Sequence, residues 1–252
     1  MIVELASLAI NLAPWIALFM MIIARLSFIM FLMPGIGEQV IPVRLRLFIL
    51  LAVAAAFSTT GAIAQPSLAP LSGFAMLLLS EIALGFCLGV TLRLGIWMLS
   101  IAGSVIAQSI GLSQLLGVAV EHEAQTLTSN LLTMAGAAIL LSADFHVNAF
   151  AALLQLYGDI PVGALSSLDW AYLFDSCFAA FNFAILLAWP FVALNLLYNI
   201  CLGFINKALP QLMVSFVGAP FLVGAGTIML GLSITALLVM WKEQVLSIIG
   251  WM

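Results

Sequence analysis

Apolar residues run along this chain in long stretches, and charged residues fall in the gaps between them. No charge occurs in 47–80, 94–120, 124–143, 176–206 or 208–241. Runs of that length are those of membrane-spanning helices, which need about 20 apolar residues each. Joints rich in helix breakers separate them: "PGIGEQVIPVRLR" at 34–46, "QPSLAP" at 65–70 and "YGDIPVGALSSLD" at 157–169. Grouping the runs predicts about six spans, at 8–33, 47–64, 72–106, 125–157, 171–206 and 211–240. Open strands cannot cross a bilayer, and the ten-residue alternating segments of a membrane barrel are absent, so every element reads as helix. The expected fold is all-α: a polytopic integral membrane protein of long, bent hydrophobic helices in a single membrane-embedded domain, 1–252.

Composition supports this. Of 252 residues, 65% are hydrophobic and only 6% charged, against about 25% charged in soluble domains. The net charge of −4 is too sparse for a nucleic-acid surface. "MIVELASLAINLAPW" lacks a basic n-region and carries Glu4, so the first apolar run reads as a retained span rather than a cleaved signal. With six spans, Arg44, Arg46 and Lys207 fall in joints assigned to the cytoplasm, Asp159 and Asp169 in an outer joint, and both termini outside.

The informative residues are polar or small ones at membrane depth. Arg25, Glu81 and Arg93 interrupt apolar segments, where a charge costs about 2.5–3.5 kcal/mol on insertion scales. They read either as a structural pairing within a helical assembly or as a conduction site. Glu81, Gly85, Gly89 and Arg93 are spaced by four and share one stripe of a helix. Gly85 and Gly89 form GxxxG, which admits a second helix backbone. Gly103, Ala107 and Gly111 repeat that spacing, as do Thr227, Gly231 and Thr235. Asn195, Asn199, Gly203 and Asn206 line one face of the segment after Pro190, suited either to hydrogen bonds with partner helices or to a wet cavity.

Enzyme chemistry finds little support. His122 and His146 are far apart, and no HExxH, GxSxG or P-loop pattern occurs. Glu121, His122 and Glu123 point about 100° apart on a helix and read better as a short polar loop. Cys87, Cys177 and Cys201 show no CxxC spacing. No cofactor or metal is expected.

The chain resembles the FliR/SctT family of type III export-gate proteins over nearly its whole length. The likeness rests on "RLSFIMFLMPGIGEQVIPVRLRL" with Arg25, Pro34, Gly37, Pro42 and Arg44; on "EIALGFCLGVTLRL" followed by "AGSVIAQSIGLS"; on His146 and "DIPVG"; and on "AWPFVALNLLYNICLGFINKALPQLMVSFVGAP" with Pro190, Gly203, Pro210, Gln211, Leu212, Gly218 and Pro220. It departs from the family at Met213, at Ser215, at Glu121–Glu123 and in lacking an acid after the Ala-Gly pair of "AGSVIAQ". The resemblance implies a non-enzymatic core subunit of a channel in the bacterial inner membrane, at the flagellar basal body. FliP- and FliQ-like subunits would complete that channel, FlhA- and FlhB-like proteins would adjoin it, lipid would surround it, and unfolded export substrates would pass through. It implies bent hairpins packed on partner subunits and a plug loop over Gln108, Gly111, Gln114, Gly117, Glu121 and Glu123. The alternatives are the injectisome counterpart and a secondary ion or solute transporter using Glu81 with Arg93.

Overall fold

A computed structural model describes residues 2–38, 41–61, 63–64, 71–111, 121–208 and 214–249. Among the described residues the chain is all-helical: α1 (Ile2–Leu32), α2 (Val43–Thr59), α3 (Leu71–Ile110), α4 (Glu121–Ser142), α5 (Phe145–Asp159), α6 (Trp170–Ala208) and α7 (Val214–Ile249), with one 3-10 turn at Leu165–Ser167. Four helices carry stretches long and apolar enough to cross a bilayer, Leu12–Leu32, Ser72–Ile110, Trp170–Ala208 and Gly218–Ser247, and the bent pair α4–α5 makes up to a fifth. The chain is a multi-pass membrane protein.

The expected count of about six changes in two places. The 125–157 run is two helices, because Asp144 takes a left-handed φ of 52° between them, a conformation that Asp and Asn tolerate better than other side chains. The second run begins earlier and ends sooner than expected, at Val43–Thr59, 17 residues. Pro42 precedes its first turn, and a proline there has the φ a helix start needs. Arg44 and Arg46 therefore lie in the first turn of a helix rather than in the joint before it. Glu121–Glu123 form the first turn of α4 rather than a loop, a position where a helix favours acids. Pro190 and Pro220 lie inside continuous helices. A lost backbone bond at membrane depth is tolerated where neighbouring groups or local adjustment satisfy it. The expected turn at Pro210-Gln211 and the unusual Met213 lie outside the described residues.

The helices fall into two compact units. The first comprises Met1–Arg93, Leu140–Asp175 and Ser247–Met252. Within it α1 packs on α2, and α3 runs parallel to α1: Arg25 meets Glu81, Phe28 stacks edge-on against Phe86, and Glu38 meets Arg93. The chain then runs the other way, from Leu141 at the end of α4, beside Gly35, through α5 to Tyr157, beside Arg25 and Phe57. Its core includes Met21, Ile22, Leu26, Ile29, Leu84 and Phe145, all essentially inaccessible.

The second unit comprises Leu94–Ile139 and Ser176–Leu246. The C-terminal half of α3 lies between α4 and α7, antiparallel to both. Gly95 lies against Val245 and Gly226 against Ile110, whereas Gly103 lies against Ser129 and Gly136 against Leu99. Trp241, fully buried, donates its indole N–H to the Gly95 carbonyl at 2.6 Å.

Candidate functional site

The intramembrane charges pair within the first unit, and not as Glu81 with Arg93. Arg25, 1% exposed, and Glu81, fully buried, form a bidentate ion pair: Nε to Oε2 at 2.6 Å and Nη2 to Oε1 at 3.1 Å. The remaining capacity of both groups is spent on a loop. Arg25 Nη1 donates to the Ile160 carbonyl at 3.0 Å and Nη2 to that of Pro161 at 3.5 Å. Gly163 N–H donates to Glu81 Oε1 at 2.7 Å. The Arg25 guanidinium also sits 4.1 Å over the Tyr157 ring, a cation–π contact favoured by dry surroundings. Two charges are carried into an apolar core only when extra hydrogen bonds complete them, and the loop backbone supplies those bonds.

Arg93 pairs with Glu38 at 2.6 Å in a more open setting, each side chain about a quarter exposed. Glu38 belongs to a loop whose Met33, Pro34, Gly35 and Ile36 are buried. A buried loop needs partners for its backbone. Arg46 provides them from α2, donating to the Ile41 carbonyl from Nε at 3.1 Å and Nη2 at 2.9 Å, and to the Glu38 carbonyl at 2.5 Å. Sequence reasoning passed over Glu38, Tyr157 and Trp241, and used Arg46 only as an orientation charge. For Arg46 a signal was present: a guanidinium five residues after Ile41 in a loop short of polar side chains.

The glycine stripes fall into closed and open sets. A Cβ on Gly85 would collide with the Arg25 carbonyl oxygen, and one on Gly89 would lie 2.9 Å from the Phe28 carbonyl oxygen. The backbone that GxxxG admits is therefore the chain's own α1. Gly103 serves α4 in the same way, since an added Cβ would lie 2.7 Å from Ser129 Cα, with the Ser100 and Ser129 hydroxyls bonded at 3.0 Å beside it. Ala107 and Gly111 are buried, and Gly111, with φ 74°, follows the last residue of α3. Gly218 of α7 faces the Tyr198 hydroxyl of α6.

By contrast, a Cβ added at Gly203, Gly224 or Gly231 would meet nothing within 4 Å, and Thr227 and Thr235 are exposed. Asn195 is half-buried, and Asn199 and Asn206 are exposed. Asn199 Nδ2 donates to the Asn195 carbonyl at 2.8 Å and to its Oδ1 at 2.9 Å. No residue of α6 beyond Phe191 is buried. Only 28% of the apolar window of α6 and 17% of that of α7 is covered by the chain itself, against 44% for α1. Of the other expected positions, Pro42, Pro190 and Pro220 are exposed, as is Gln108 near the end of α3. Gln114 and Gly117 lie outside the described residues, and Glu121 and Glu123 are described in backbone only. The expected plug is untouched by these observations. Among the described residues no three His, Cys, Asp or Glu side chains gather closely enough to hold a metal ion.

Residues 16–248 match the family described as Bacterial export proteins, family 1. Relatives named Flagellar biosynthetic protein FliR include one from Caulobacter vibrioides, 28% identical over 231 residues, which cover 89% of this chain and 91% of the relative. Another, from Aquifex aeolicus, is 28% identical over 212 residues, covering 83% and 82%. A third, from Escherichia coli K12, is 25% identical over 228 residues, covering 89% and 85%.

Proposed function

The chain belongs to the bacterial export proteins of family 1, and from that premise we propose that it is a core, non-enzymatic subunit of a flagellar type III export gate in the inner membrane. The whole chain, 1–252, acts as one membrane-embedded module at the flagellar basal body. FliP- and FliQ-like subunits complete the channel, FlhA- and FlhB-like proteins adjoin it, and unfolded flagellar proteins pass through. The flagellar assignment over the injectisome one is supported by relatives that carry a flagellar name.

The observation that carries this reading is the open amide and small-residue face of α6 and α7. Asn199, Gly203 and Asn206 on one helix, and Gly224, Thr227, Gly231 and Thr235 on the next, are left uncovered by the chain itself. Lipid tails offer nothing to an amide, whereas a neighbouring helix does, at about 0.6–2 kcal/mol per bond. Small residues also let a neighbour's backbone come close. These faces therefore suit partner helices better than hydrocarbon.

The triple change Asn195→Leu, Asn199→Leu and Asn206→Leu tests it in a deletion strain complemented with the tagged full chain. The expected result is a normal level of the chain in the membrane, with loss of co-purifying FliP- and FliQ-like subunits and of motility. Full assembly and swimming with the triple variant would refute the assignment of this face.

A further inference from the structure

We infer that Arg25 and Glu81 form a latch for the backbone of residues 160–163, so that their role is to hold this strap in place rather than to move charge. The inference is independent of the proposed function, since it concerns contacts inside one unit of the chain.

The strap joins α5 to the 3-10 turn before α6. Three of its backbone groups point at the ion pair: the Ile160 and Pro161 carbonyls at Arg25, and the Gly163 N–H at Glu81. Glu81 Oε1 is closer to the strap, at 2.7 Å, than to Arg25 Nη2, at 3.1 Å. The carboxylate thus bridges strap and guanidinium. The apolar seat is made by Ile160 and Leu168, both buried, and by Leu77, which lies against Gly163. Gly163 has φ 84°, and a side chain there would meet both backbone strain and Leu77. Outward, Pro161, Ser166 and Ser167 are exposed. Pair and strap complete each other. Without the strap, a guanidinium nitrogen in an apolar core loses its acceptor; without the pair, the Ile160 carbonyl and the Gly163 N–H lose their partners, and the Pro161 carbonyl keeps only the Ala164 N–H at 3.1 Å. Hydrogen bonds to charged groups are the stronger kind, so the docked strap is held by the pair more than by its small apolar seat.

A charge pair with a merely structural role is restored by any cation opposite Glu81. A latch is not, because only the planar fork of arginine reaches the carboxylate and both carbonyls at once. The test follows from that difference. In membrane fragments carrying the full chain, with Cys87, Cys177 and Cys201 changed to Ala, Val162→Cys reports strap docking by its rate of labelling with a water-soluble maleimide. In a parallel version, Phe28→Cys with Phe86→Cys reports α1–α3 packing by cross-linking with a short bifunctional thiol reagent, since those rings lie 5.7 Å apart between centroids.

Arg25→Lys and Glu81→Leu by removing a partner, and Gly163→Ala by forcing its N–H away from Glu81, are each expected to raise the labelling rate about tenfold, the change expected when a bond to a charged group is lost, while the cross-link forms as in the parent. Unchanged labelling in Arg25→Lys and Gly163→Ala overturns the latch. So does labelling that rises only where the cross-link is lost, because the pair would then be holding helices and not the strap. Should Glu81→Leu fail to accumulate, the other two variants decide the matter alone.

Discussion

The change Gly85→Ala adds one methyl group at the tightest helix seam of the first unit. The new Cβ would overlap the Arg25 carbonyl oxygen and lie 2.9 Å from the carbonyl carbon and 3.0 Å from Cα. These are backbone atoms, so no side chain can turn aside. α1 and α3 would have to part by about 1 Å, and a gap of that size forfeits a quarter to a half of the contact energy of the facing atoms. Overpacking of this kind costs about 1–3 kcal/mol. The residue displaced is Arg25 itself, so the 2.6 Å bond to Glu81 lengthens as well. Against this, alanine gains about 1 kcal/mol over glycine in a helix interior. The two terms leave a net loss of about 1 kcal/mol, to which the lengthened Arg25–Glu81 bond adds. Gly203→Ala is the matched control: nothing lies within 4 Å, so only the helix gain of at most about 1 kcal/mol remains. Both are read from detergent-solubilised full chain, by reversible unfolding in SDS followed through fluorescence of its six tryptophans. If Gly85→Ala unfolds with the parent, or Gly203→Ala falls as far as Gly85→Ala, the reasoning from backbone contact is wrong.

Two further outcomes follow from single side chains. Trp241→Phe removes the 2.6 Å indole bond to the Gly95 carbonyl and leaves a void where a fully buried indole sat; a loss of about 1–3 kcal/mol in the same unfolding assay is expected, and an unchanged midpoint would count against that bond. Arg46→Lys removes a fork that holds the Glu38 and Ile41 carbonyls, whereas Glu38→Gln weakens only a quarter-exposed pair, worth at most about 1 kcal/mol. Arg46→Lys should therefore speed backbone amide exchange around Gly37 and Glu38 far more than Glu38→Gln does, and the reverse order would refute the capping role.

How much of this was legible in the sequence depends on the kind of information. Spacing by four at Gly85 and Gly89 revealed a face made for backbone approach, because helix geometry alone dictates it. It could not reveal whose backbone, since α1 reaches that face through packing across the fold. Arg25, Glu81 and Arg93 stood out for the same local reason, the cost of charge in an apolar run. Their true pairing joins residues 56 and 55 positions apart, and no periodicity encodes that. Glu38 was hidden because a loop acid looks solvated until the loop proves buried. The break at Asp144 carried only one weak mark, an acid between apolar runs, with no glycine or proline beside it. Pro190 and Pro220 fall inside the expected spans 171–206 and 211–240, and both helices do run on through them although each proline removes a backbone bond.

The polar groups of the two units are satisfied to different degrees. In the first, Arg25, Glu81, Arg93, Glu38 and Arg46 all find partners within the chain. In the second, the amides of α6 beyond Pro190 have only each other: Asn199 leans on Asn195, and the Asn206 side chain makes no hydrogen bond among the described residues. An isolated helix in hydrocarbon cannot remedy this, because the bilayer core offers no donors or acceptors. Added apolar residues would be the simple remedy, and they surround the amides already: Leu196, Leu197, Ile200 and Phe204 are all exposed. Three amides retained in such company make sense if something polar meets them, so this segment is the place where the chain is incomplete alone. The same argument separates the glycines. Those at 85, 89, 103 and 136 are filled against from within, so enlarging them should disturb the isolated chain. Those at 203, 224 and 231 face open space, so enlarging them should disturb only an assembly. A stability assay on the single chain and a co-purification assay on the complex should therefore sort the glycines into these two groups.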